Sequence, residues 1–242
     1  VTRAEARMHP LFRSLVPLLI ATTTAQATPL AEHHASAPEL MARPDLRLQQ
    51  QNGTLAPAPD PVGTRQVIRA RAGAKQAGKV GKAALILPFD PLGPGARIRV
   101  TAELFLPPDN PANSIHLFDL ECKFCGQPGN PGLRLYLRHG RLRVDRKKIG
   151  GGHAWTDDSA PALTTGRWHL VTWELNLGTD AAPGRSQVYL DGQKVLDNRG
   201  RTLPDLPAER AAIDRLQIGI TANSNPETVT LYLGAVTLER WP

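Results

Sequence analysis

Cysteines, aromatic residues and long apolar runs are all scarce in this chain of 242 residues. Cys122 and Cys125 are the only two thiols, and Phe, Trp and Tyr together make up 5%. Two thiols and a scatter of histidines do not assemble the four ligands of a structural zinc site, so no metal is assigned. A redox dithiol belongs at the start of a helix, whereas C-K-F-C ends a strand and enters a Pro/Gly-rich loop. The pair reads as a short disulfide or as inert thiols. Few aromatics weaken a single-strand nucleic-acid platform, which stacks bases on rings. The apolar run 15–21 (LVPLLIA) is too short to span a bilayer. Helical periodicity is nearly missing, with 208–214 its one brief instance, and no internal repeat suggests a propeller.

Hydrophobic residues reach 41%, enough for a full core, and the formal net charge is +7. The N-terminus reads as a secretory signal. Met8 opens it, Arg13 supplies the positive region, 15–21 the apolar core, and Ala25-Gln26-Ala27 the small-x-small cleavage site, with residues 1–7 preceding the true start. This predicts a signal peptide over 1–27 and a periplasmic or secreted protein. Residues 28–61, rich in Pro, Ala and Gln, read as a disordered leader, with His33 and His34 solvated.

From residue 62 the texture changes to short alternating segments punctuated by Gly and Pro, predicting one domain over 62–242. Expected strands are 67–71, 83–89, 97–106, 114–121, 167–177, 216–221 and 229–238, and a hairpin turns on Asp191-Gly192. The strand 114–121 is mixed on both faces. Gly78-Lys79-Val80-Gly81 lacks the spacing of a phosphate loop and reads as a turn. Some ten short strands with almost no helix predict an antiparallel β-sandwich, jelly-roll topologies included.

The most informative stretch is 133–148, L-R-L-Y-L-R-H-G-R-L-R-V-D-R-K-K. Strict alternation into His139-Gly140 and out again predicts a hairpin with Arg138 opposite Arg141, Tyr136 opposite Arg143 and Arg134 opposite Asp145. One face is apolar. The other collects four arginines, a tyrosine and an aspartate, although like charges across a strand pair repel. Two readings stay open: a platform on which guanidinium forks and the Tyr136 ring hold an acidic ligand, and a solvated face whose basic side chains resist edge pairing.

Trp168-His169-Leu170-Val171 followed by 188–195 (VYLDGQKV) resembles the concanavalin A-like lectin/glucanase superfamily, laminin-G-like modules included. A fainter likeness is to the jelly-roll polysaccharide lyases that act on heparin, glucuronan and alginate. Ile115-His116 resembles their apolar-x-His strand, Gly140 to Arg143 their G-R-L-R-like strand, and 216–221 (LQIGIT) their late strand. That late strand carries a catalytic Tyr in the lyases, where this chain has Thr221.

The resemblance implies a carbohydrate-recognising domain that binds an anionic polysaccharide through Arg134, Tyr136, Arg138, Arg141 and Arg143, with β-elimination of a uronic-acid polymer as the alternative. Elimination needs a neutralised carboxylate, a base for the C5 proton and an acid for the leaving oxygen. The arginines fit the first task; His116, Tyr136 and His153 are the candidates for the other two. A retaining hydrolase ranks below both, because Asp119 and Glu121 lack the third acid of an E-x-D-x-E strand. Those two acids are read as calcium ligands or as partners of the arginines, and no other cofactor is called for. Seven Lys/Arg in 134–148 suit phosphate contacts, but export disfavours nucleic acid as the partner. The sequence leaves the oligomeric state open.

Overall fold

A computed structural model describes residues 28–33, 41 and 43–241; the expected signal segment 1–27 and His34 lie outside them. The strands are β1 Thr28–His33, β2 Arg47–Gln51, β3 Gly53–Pro59, β4 Gln66–Ala72, β5 Gly81–Leu92, β6 Arg97–Phe105, β7 Ile115–Glu121, β8 Gly132–Arg138, β9 Arg141–Asp145, β10 Trp168–Asn176, β11 Gly184–Leu190, β12 Gln193–Gly200, β13 Ile213–Asn223 and β14 Val229–Trp241. They form two antiparallel sheets. One runs β12-β11-β10-β6-β14-β4-β3, with β1 added beside β14; the other runs β2-β5-β13-β7-β8-β9.

Alternation explains the packing. Val100, Val171, Trp173, Val188 and Leu238 point inward from the first sheet and Leu85, Phe118, Leu135, Val144 and Ile218 from the second, all fully buried in one core. Trp173 carries the one polar atom of its ring inward as well, and its Nε1 donates to the buried Ser186 hydroxyl at 2.9 Å. The result is the expected antiparallel sandwich.

The Trp168-His169 and Asp191-Gly192 motifs prove to be one clasp. His169 is buried, with Nδ1 2.9 Å from Asp191 Oδ2 and Nε2 2.8 Å from the Thr164 carbonyl, while Asp191 Oδ1 accepts from the Leu170 amide at 2.9 Å. The turn is thereby tied back onto the strand beside it, so these residues serve the fold.

Two expectations are corrected. Residues 28–61, read as a disordered leader, supply β1, β2 and β3, so the sandwich begins before residue 62. β2 and β3 are edge strands that bury little, which is why their Gln and Pro content hides them; Pro57 and Pro59 are tolerated at an edge. Residues 208–214 hold a turn, not a helix: the Pro207 carbonyl accepts from Arg210 and Ala211, and β13 starts at Ile213. Among the described residues no helix is long and apolar enough to cross a membrane.

Candidate functional site

The β8–β9 hairpin forms with the expected register: Arg134 opposite Asp145, Tyr136 opposite Arg143, Arg138 opposite Arg141. His139 and Gly140 both take positive φ, 52° and 74°, the primed turn that matches strand twist. Leu133, Leu135, Leu137, Leu142 and Val144 are buried, so the arginines and Tyr136 lie on the outer face of the six-stranded sheet.

β7 brings His116 and two carboxylates to this same face, which strict alternation forbids. His116 is an even position, Asp119 and Glu121 odd ones. A bulge resolves the conflict: His116 pairs with Tyr136 and Phe118 with Leu135, leaving Leu117 as an extra buried residue. The bulge re-aims His116 outward without disturbing Asp119 and Glu121. β13 carries a matching irregularity between Ile218 and Ala222, where Gly219 takes φ 129° and a Cβ would sit 2.6 Å from the Ala83 carbonyl.

One cross-strand row then spans all six strands: Asp145, Arg134, Asp119, Gln217, Ile86 and Arg47. On one side of it sit His116 and Tyr136, whose rings stack at 5.2 Å between centroids. On the other, Glu121 lies opposite Arg215. Glu121 is buried and fully engaged, accepting from Lys148 Nζ at 2.8 Å, Arg215 Nη2 at 2.5 Å and Gln217 Nε2 at 2.5 Å. Asp119 Oδ1 accepts from the Thr221 hydroxyl at 2.8 Å. Asp119 is thus met by Thr221, and Glu121 by two cations and an amide.

Most of the arginines are engaged within the chain. Arg134 pairs with Asp145, Arg143 with Asp158 at 2.6 Å, and Arg141 Nε donates to the Ala160 carbonyl at 3.0 Å. Arg138 is exposed at the turn, with no ion pair among the described residues. Asp158 is 77% exposed, so its pair with Arg143 can open to another carboxylate at small cost. His153 lies exposed in the loop that returns to the outer edge of β9, where Trp155 bridges Val144; β8 and β9 separate that edge from β7. The structure therefore gathers His116 and Tyr136 but not His153. Cys122 and Cys125 are disulfide-bonded, with Cα atoms 5.5 Å apart.

Polar atoms that are buried without a partner concentrate here. Of seven among the described residues, five belong to this face: Gln49 Oε1, His116 Nδ1, Arg134 Nε, Arg143 Nε and Gln217 Oε1. Buried polar groups are normally met by protein, by ordered water or by a ligand.

No protein-family model matches the chain, and a search of curated proteins finds no match. Solved structures do match. An endo-β-1,4-glucuronan lyase from the fungus Trichoderma reesei superposes with a TM-score of 0.65 at 16% identity, covering 88% of this chain and 95% of that one. The alginate lyase Aly36B matches at 0.57 and 14%, covering 88% and 95%, and the cellulose induced protein Cip1 at 0.57 and 15%, covering 80% and 90%. The chain shares their fold, a jelly-roll sandwich of two antiparallel sheets.

Within this jelly roll the environment separates the two titratable groups. Burial, helped by the Arg134 charge, pushes the His116 imidazole down to about 4, so it is neutral at neutral pH. Burial and the neighbouring Glu121 push the Asp119 carboxyl up to about 6, against the Thr221 hydrogen bond.

The consequences for stability have opposite signs. Between about pH 4 and 6 the folded chain holds the Asp119 proton more tightly than the unfolded chain, so this term weakens folding as pH rises. His116 binds its proton less tightly when folded, so its term strengthens folding as pH rises from about 4 to 6.5. Each is worth about 3 kcal/mol, and in the wild type they offset. Urea denaturation of His116→Gln is expected to show stability falling from pH 4 to 6, and that of Asp119→Asn to show it rising. Parallel profiles in the two variants would refute the assignment.

Sequence reasoning missed Arg215, Gln217 and Asp158. The first two were signalled by alternation with the buried Leu216 and Ile218; Asp158 comes from a loop and left no signal.

Proposed function

We propose that the outer face of the six-stranded sheet takes an acidic polysaccharide and cleaves it by β-elimination. The observation that carries this reading is His116: a neutral imidazole whose Nδ1 is buried without a partner, stacked on Tyr136 at the centre of the face. In this mechanism His116 takes the C5 proton of a uronic acid residue, and the Tyr136 hydroxyl gives its proton to the leaving glycosidic oxygen. The C4–O bond breaks as the C4–C5 double bond forms. Arg138 and Arg143 meet the substrate carboxylate, Arg143 by releasing the exposed Asp158, and so stabilise the charge that builds up on the carboxylate side. Cations on the face, Arg134, Arg138, Arg141, Arg143, Lys148 and Arg215, outnumber the carboxylates that meet them. The lyases named among the similar folds support the same substrate class. Export, expected from the N-terminal sequence, belongs to this proposal because it places the protein where such polymers are met.

A second reading, recognition without cleavage, is favoured by Thr221. It stands where the lyase-like pattern has its Tyr, and its hydroxyl proton is committed to Asp119. Incubation with alginate, polyglucuronate and glycosaminoglycans separates the two. Absorbance of an unsaturated product is expected; retention on the immobilised polymer without product would establish the second reading, and neither would refute both.

A further inference from the structure

The most exposed aromatic ring in the described chain is held more rigidly than exposure alone would require. Phe124, 79% exposed, sits at the tip of the loop closed by Cys122 and Cys125. The buried Asp214 carboxylate takes the Lys123 amide at 2.9 Å and the Phe124 amide at 3.0 Å, fixing the loop backbone from below. Lys123 Nζ lies 5.8 Å from the ring centroid.

Phe124 borders a hollow of about 70 Å³ shared with Arg47, Ile86, Pro88, Lys123, Arg215 and Asp214, whose carboxylate is already taken by the loop amides. Arg47, Ile86, Pro88 and Arg215 occupy the outer face of the six-stranded sheet, in the rows that continue from Asp119 and Glu121 toward β2. An apolar floor of Ile86 and Pro88, a presented ring and flanking cations match a sugar ring that carries an acidic group: its C–H face stacks on an aromatic and its carboxylate meets a guanidinium. Counting strands at ~4.8 Å and residues at ~3.4 Å puts the hollow roughly 15 Å from His116, the reach of a few sugar units.

We infer that Phe124, with Arg47 and Lys123, forms a distal subsite for the same acidic polysaccharide, engaged by long chains and out of reach of short ones. The inference rests on the reading of the outer face as the polysaccharide site. Its signature is dependence on chain length, which a ring serving only the fold would not give.

The test measures binding of wild type, Phe124→Ala and Phe124→Trp to polyglucuronate and alginate and to their disaccharides, with the thermal transition of each variant recorded alongside. Wild type is expected to favour polymer over disaccharide, Phe124→Ala to lose about tenfold of that preference, and Phe124→Trp to regain it. An unchanged preference in Phe124→Ala, with wild-type binding intact, would overturn the subsite alone. Wild type that binds and cleaves none of these glycans would overturn the functional reading, and the subsite with it.

Discussion

His116→Ala is expected to lower kcat for release of unsaturated product by about 10²–10⁴-fold, the range for removing a positioned general base. KM should rise far less, because the imidazole acts on a proton and does not hold the polymer. Tyr136→Phe keeps the ring that stacks on His116 and removes the hydroxyl, so it should lose a comparable factor in kcat. The wild-type rate should decline as pH falls toward about 4, where the buried imidazole takes up a proton and stops being a base. Steady-state absorbance assays from acid to alkaline pH check all three. A His116→Ala rate within tenfold of wild type would remove His116 from the mechanism.

Glu121→Ala is expected to cost about 3 kcal/mol or more of folding stability. The carboxylate is buried and receives three donors, so its loss strands the Arg215 guanidinium, whose side chain is 13% exposed, without its counter-charge. Lys148, at 31%, can turn toward water and suffers less. Removing the cation as well should recover part of the loss, since breaking one side of a buried pair is worse than replacing both. Glu121→Leu combined with Arg215→Met should therefore be more stable than Glu121→Ala in urea denaturation. If the double variant were the weaker of the two, the buried charge would not be the source of the cost.

The sequence made the central hairpin legible because two independent signals agreed there: period-two alternation and a turn pair suited to positive φ. It placed Arg134, Tyr136 and Arg143 on one face with the register later observed. It did not show that Arg143 would be answered by Asp158 or Arg141 by the Ala160 carbonyl, because these partners come from a loop with no period of its own. That difference changes the chemistry, turning a row of open cations into a face on which Arg134 and Arg143 already meet carboxylates while Arg138 stays open. The β2 and β3 edges were lost for a related reason. A strand that buries two side chains, as β3 does, or none, as β2 does, leaves too little alternation to read, and Gln and Pro then pass for linker. The mixed character of 114–121 was a true signal without an interpretation, because a bulge breaks the pattern by which a face is recognised.

That bulge makes the site a matter of pairing. Counted back from Asp119 by strict alternation, His116 would face the core; it faces outward because the bulge absorbs Leu117 as a spare buried residue, so the same residues paired without the bulge would put Leu117 on the outer face and turn the imidazole inward. The constellation can thus be lost with each functional residue type intact, and a comparison of residue identities alone would not detect it.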